Sequence, residues 1–130
     1  MDQRAQELVQ EPNFGHVTTL REDGSPFSVV VWVDTEDERF VLNTAEGRNW
    51  RRFVERDPRI ELVVVNRENP YEYVRVRGRV EEATHEDADD HIDRMAKKYL
   101  GVDSYPGRTP DEQRVKLYVR PERVKVVGAG

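Results

Sequence analysis

Residues 17–48 read VTTLREDGSPFSVVVWVDTEDERFVLNTAEGR. Three runs rich in Val, Thr, Phe and Trp are separated by short polar breaks, EDGSP and EDE. That is the pattern of consecutive strands joined by hairpins. The spacing predicts strands over FGHVTTLRE (14–22), FSVVVWVDT (27–35) and RFVLNT (39–44). Gly24 can take the positive φ that the first turn needs. In the second run Phe27, Val29, Val31 and Val33 alternate with Ser28, Val30 and Trp32. Both sets are largely apolar, so this strand is expected to be covered on both sides. Strands that follow one another through turns this short pair antiparallel.

On the N-terminal side, residues 2–10 carry Ala5, Leu8 and Val9 at helical spacing. Pro12 ends that helix by removing a backbone donor and restricting the residue before it. On the C-terminal side, GRNWRRFVERD (47–57) predicts a helix with Trp50, Phe53 and Val54 on one side, closed by Pro58. RIELVVVN (59–66) predicts a strand. YEYVRVRGRVEEA (71–83) predicts a long one, with Tyr73, Arg75, Arg77 and Arg79 on one face and Val74, Val76 and Val80 on the other. Gly78 marks a bulge or bend within it. A third helix follows, with Thr84 as its N-cap and Ile92, Met95, Ala96 and Tyr99 as its buried stripe, ending at Gly101. A Pro/Gly-rich loop (102–112) leads to two last strands, QRVKLYVRP (113–121) and RVKVVG (123–128). About seven strands and three helices define a β-rich α+β chain. A single domain spanning 1–130 is expected, and an antiparallel sheet of this size avoids exposed edges by closing into a small barrel.

Composition narrows the function. The chain carries a net charge of -5, which argues against broad nucleic-acid binding. It has no cysteine, so disulfides, thiolate metal sites and a cysteine nucleophile are excluded. No apolar run is long enough to span a membrane, and MDQRAQELVQ lacks the layout of a signal peptide. A cytoplasmic location is expected.

Against the acidic background, NTAEGRNWRRFVERDPR (43–59) crowds Arg48, Arg51, Arg52, Arg56 and Arg59 together. NTAEGR leads from a strand into a helix N-terminus, where free N–H groups and the dipole favour an anion. Gly47 permits close backbone approach, Arg48 offers bidentate hydrogen bonds, and Thr44 adds a hydroxyl. The pattern fits a phosphate cradle. It fits equally a surface helix whose arginines pair with Glu46, Glu55 and Asp57, and spacing leaves both readings open. His16, His85 and His91 are scattered, and the acids of HEDADDH fall in a helix first turn, so no metal site is expected. No nucleophile elbow, Walker loop or dinucleotide-binding turn is present, so no catalytic side chain is assigned and a cofactor is expected to do the chemistry.

The stretch 17–48, together with ERDPRIELVVVN, NPYEYVRVRGRVEE, HIDRMAKKYLG and VKLYVRPERV, resembles the split β-barrel flavin and deazaflavin oxidoreductases related to pyridoxamine 5'-phosphate oxidases. The resemblance runs from about residue 5 to residue 127 and is strongest to the coenzyme F420-dependent reductases. It implies an antiparallel split barrel with short flanking helices, a homodimer and cofactor sites at the subunit interface. It places Ser28, Val29, Val30 and Val31 beside the cofactor ring. Asn43 and Thr44 then lie under the phosphate-bearing tail, with Arg48, Asn49 and Trp50 at the tail-binding helix start. Trp50 stands where family members commonly carry Lys. Two roles follow for it: ring packing at the site with Arg51 or Arg52 restoring the charge, or core packing beneath the helix. The activity implied is F420H2-dependent hydride transfer to a small organic substrate. FMN-dependent oxidation, or non-catalytic binding of flavin or haem on the same fold, is the alternative.

Overall fold

The computed structural model describes residues 1–128. Helix α1 (Gln3–Gln10) is capped by Asp2, whose Oδ1 accepts from the N–H groups of Arg4 and Ala5 at 2.8 and 3.1 Å. It buries Ala5, Leu8 and Val9 and is tied to the sheet by Arg4, which donates to both carboxylate oxygens of Glu72. The strands are β1 (Gly15–Leu20), β2 (Pro26–Val31), β3 (Val33–Glu36), β4 (Arg39–Ala45), β5 (Arg59–Val65), β6 (Tyr73–Thr84) and β7 (Arg114–Val127). Helices α2 (Asn49–Arg56) and α3 (Ala88–Leu100) complete the order.

All seven strands form one sheet, ordered β2-β1-β5-β6-β7-β4-β3, and every pairing is antiparallel. The end strands β2 and β3 are separated in the chain by Trp32 alone. Their ends must therefore meet, which curls the sheet into a half-barrel around a core that includes Phe40, Leu42, Leu62, Val74, Val76 and Leu117, all at 0% exposure. The architecture is the expected split barrel, but its ends are joined by covalent continuity and not by a closing ladder.

Two strand boundaries differ from expectation, and they cancel in the count. The run 27–35 breaks at Trp32, because its first part pairs with β1 and its second with β4. The two expected C-terminal strands are one, since β7 pairs with β6 from Thr84↔Lys116 to Tyr73↔Val127. A register shift at Arg77/Gly78 accommodates Pro121, which lacks a donor. Gly78 is required there: a Cβ would stand 2.4 Å from the Arg120 carbonyl oxygen. The third helix begins at Ala88, with Asp87 at φ 64° as its N-cap residue; Thr84 instead accepts from the Glu86 N–H. Gly101 ends it at φ 72°, as expected. On β2 the Phe27/Val29/Val31 face turns inward, while Val30 is 58% exposed, so the second face is uncovered in the single chain. Among the described residues no helix is long and apolar enough to cross a membrane.

Candidate functional site

A cavity of about 230 Å³ opens where β2, β4, β7, α2 and α3 converge. One wall is β2, with Val29, Val30 and Val31, running into Trp32. Because β2 is an end strand, one side of its backbone has no ladder partner. Asn43 and Thr44 from the end of β4 form the floor, with Trp50 from α2 and Ile92 from α3. Arg48 and Arg114 bring positive charge. Trp32 is stacked on Tyr99 at 5.3 Å, and Tyr99 stacks in turn on Phe14 at 5.6 Å. Tyr105 closes the rim, edge-on to Trp32 at 5.9 Å.

Of the sequence-predicted site residues, Val29, Val30, Val31, Asn43, Thr44, Arg48 and Trp50 meet around this cavity. Ser28, Asn49, Arg51 and Arg52 stand outside it. Ser28 is on the outer sheet face, hydrogen-bonded to Thr18 at 2.9 Å. Arg51 is paired with Glu46 at 2.6 Å and Glu55 at 3.5 Å, which follows the surface-helix reading. The Arg51 hydrogen bond, against the opposing effect of burial, holds the Glu46 carboxyl below its usual range. Arg52 donates to Asn49 Oδ1 and to the Gly47 carbonyl oxygen. Arg59 forms a bidentate pair with Asp57, Nε donating to Oδ1 and Nη2 to Oδ2. Arg48 is different: it is the N-cap residue of α2 with a side chain 55% exposed, and among the described residues its one carboxylate neighbour, Glu112, is 3.8 Å away. Trp50 is 5% exposed and belongs to the core cluster, so it packs beneath α2 while also lining the cavity.

Phe14, Trp32, Ile92 and Arg114 also line the cavity and were not named as site residues from sequence, and Tyr105 lines it from the Pro/Gly-rich loop 102–112. Arg114 had a legible signal. Arg114, Lys116 and Tyr118 share one face of β7 by alternation, and all are buried. Lys116 is neutralised by Glu36 at 3.1 Å and Asp87 at 3.0 Å. Arg114 is held by Asn43 Oδ1 at 2.9 Å, by Glu112 and by the face of Tyr105 at 5.2 Å. Glu112 thus sits between two guanidinium groups. Behind the floor, Asn43 contacts His91, and His91 contacts Asp34. Burial pushes the Asp34 carboxyl up, but hydrogen bonds from His91 and the Thr35 N–H outweigh it and leave it below its usual range. Below that, Lys98 donates to the Val33 and Val9 carbonyl oxygens, and burial pulls its pKa down to about 8 against the opposing charge of Asp34.

The arrangement can hold a flat anionic ligand: apolar and aromatic walls for a ring, an unladdered backbone edge beside it, and guanidinium groups for an anionic end. The half-barrel and this cleft define the class of split-barrel flavin and deazaflavin proteins. A family model for pyridoxamine 5'-phosphate oxidase matches residues 1–128, and the chain belongs to that family. Among solved structures, one named F420 Reductase is similar at 25% identity and a TM-score of 0.83, covering 96% of this chain and 98% of its own. HupZ from Group A Streptococcus is similar at 21% identity and a TM-score of 0.71, covering 100% and 96%. A putative pyridoxamine 5'-phosphate oxidase from Listeria innocua is similar at 14% identity and a TM-score of 0.66, covering 92% of each chain. The latter two bear on the fold alone. A comparison with curated proteins returns no match.

Proposed function

We propose that this protein is an F420H2-dependent reductase that acts as a homodimer, with the cavity at β2, β4 and α2 as its cofactor site. The observation that carries the reading is the pairing of Arg48 and Arg114 across Glu112, at one end of a cavity walled by the Val29–Val31 backbone edge, Trp32 and Tyr105. The likeness to an F420 reductase over almost the whole of both chains supports the choice of cofactor. The residues present fit such a group. Arg48 and Arg114 would hold its phosphate, and Val29, Val30 and Val31 would border its ring. When bound in reduced form, the deazaflavin supplies a hydride. The protein's own part is to fix the ring, exclude water and present the substrate, which needs no acid–base side chain. A volume of about 230 Å³ is below the usual range for a cofactor site. A second copy would complete it, and Val30 at 58% and Tyr71 at 82% exposure are apolar surface for such a contact. Tyr73 and Trp32 are partly buried in the single chain and support the dimer less.

A second reading, an FMN-dependent oxidoreductase, is favoured by the state of the other arginines. Arg51 and Arg52 are engaged within α2 and its flanks, which leaves two guanidinium groups, a match for one phosphate and not for a long acidic tail. Parallel titrations decide. Quenching of F420 fluorescence at micromolar protein, with weaker FMN binding, is expected. FMN bound more tightly than F420 selects the second reading. Binding of neither removes both.

A further inference from the structure

Asn43 has an orientation set by partners that have no freedom of role. Arg114 Nε can only donate, and it lies 2.9 Å from Asn43 Oδ1. The Ala88 carbonyl can only accept, and its oxygen lies 2.9 Å from Asn43 Nδ2. The amide therefore presents its oxygen to β7 and its NH2 group to α3. The second proton of that NH2 points to His91 Nδ1 at 3.0 Å, so Nδ1 must be bare. The ring proton then sits on Nε2, 3.2 Å from Asp34 Oδ2, which can accept it. His91 is 0% exposed, so water offers no alternative partner.

We propose that His91, oriented by Asp34, is the positioning residue for Arg114. The proposal rests on the reading of the cavity as an anion site. The chain Asp34–His91–Asn43 holds Arg114 Nε, and Glu112 holds Nη1. Nη2 has no partner among the described residues and is left for an anion in the cavity that Arg114 lines. A proton on His91 Nδ1 sets donor against donor at Asn43. Turning the amide to relieve this places its NH2 against Arg114 Nε–H and its oxygen against the Ala88 carbonyl, so Arg114 loses its anchor. The charged groups around the ring are Asp34 on β3, Arg114 one hydrogen bond beyond Asn43, and Arg94 and Lys98 on α3, both of which act on Asp34. An imidazole rejected from sequence as an isolated histidine thus bears on the anion site through one amide.

Nitrogen-15 NMR of the intact protein tests this without a cofactor. The expected result is a His91 ring protonated at Nε2 and bare at Nδ1, with a slowly exchanging Arg114 Nε–H. His91→Phe should expose that Nε–H to exchange and weaken inorganic phosphate binding about tenfold, the scale of one lost charge-assisted hydrogen bond. His91→Gln, which can accept and donate, should restore much of both. Asn43→Asp is an arm that does not depend on the Phe variant folding: an acceptor at that position should draw a proton onto Nδ1. A wild-type ring protonated at Nδ1, an Arg114 Nε–H as protected in folded His91→Phe as in wild type, or a bare Nδ1 in Asn43→Asp overturns the positioning role. Phosphate that shifts no Arg114 resonance overturns the anion-site reading instead and leaves the tautomer measurement to stand.

Discussion

Trp50→Lys separates packing from charge at the start of α2. The indole is 5% exposed and packed in the core cluster, so nearly the whole side chain leaves water on folding. An aromatic of this size buries about 150–250 Å². At about 25 cal/mol per Å² that is roughly 4–6 kcal/mol, and a compact unfolded chain reduces it by about 10–40%. The methylenes of Lys recover part of the area, but its ammonium must reach the cavity or be desolvated. A net loss of about 3–5 kcal/mol follows, in the range for truncating a buried Trp. For 130 residues at about 2.1 cal/mol/K each, the unfolding entropy is about 0.27 kcal/mol/K, so Tm should fall by about 10–20 °C. Thermal unfolding by circular dichroism at fixed protein concentration reads it. F420 titrated below the transition reports whether the new charge helps. A Tm within about 3 °C of wild type, with tighter F420 binding, would show that Trp50 is a site residue and not a core residue.

Arg48→Ala should weaken F420 binding by about 1.5–3 kcal/mol, the range for hydrogen bonds to a charged group, whereas Arg56→Ala, whose guanidinium donates to the Leu20 carbonyl at 3.0 Å, should change it little. Equal losses in the two titrations would mean that the α2 arginines act only as a charged face. Sedimentation at micromolar concentration should give twice the chain mass; a clean monomer would remove the shared site. Lys98 predicts a rise of stability with pH. Its proton leaves the folded protein above about 8, while the unfolded chain keeps it up to the usual lysine value of 10.5. The unfolded state therefore binds more protons in that window, and urea unfolding should show stability gained on going up through it and lost on coming back down through 8. Lys98→Met should flatten that rise, and an unchanged slope would show that Lys98 is not its source.

The alternation of Val74, Val76 and Val80 against Arg75, Arg77 and Arg79 made β6 readable, because one face of that strand is core and the other is solvent. Trp32 was unreadable as a break because it continues an apolar run; only the pairing of Val31 with Gly15 and of Val33 with Leu42 divides it. The cavity was half legible. Asn43, Thr44 and Arg48 are neighbours in sequence, so a strand-to-helix turn delivers them together. Arg114 and Tyr105 arrive from more than fifty residues away, and Phe14 from the opposite side; the alternation of β7 puts Arg114 on one face with Lys116 and Tyr118, but no local pattern says that this face meets Asn43. The arginine crowd misled in part, since Arg51 and Arg59 answer nearby carboxylates and not a ligand. His91 was passed over because its partners, Asp34 and Asn43, lie 57 and 48 residues from it.

The single residue between β2 and β3 gives the barrel a seam. Elsewhere a strand is held to its neighbour by a ladder, but along this line the chain itself, the Trp32–Tyr99 stack and the side-chain hydrogen bonds of Tyr99 and Lys98 to Val33, Asn13 and Val9 act as a clasp. The cavity lies on that line, with Val29–Val31 on one lip and Asn43–Thr44 on the other. A flat ligand seated there would serve as the missing rung, bridging two lips that no backbone hydrogen bond joins among the described residues. Occupancy should therefore slow amide exchange most at residues 29–33, and loss of the ligand should let the barrel breathe first at its seam and last at β6 and β7.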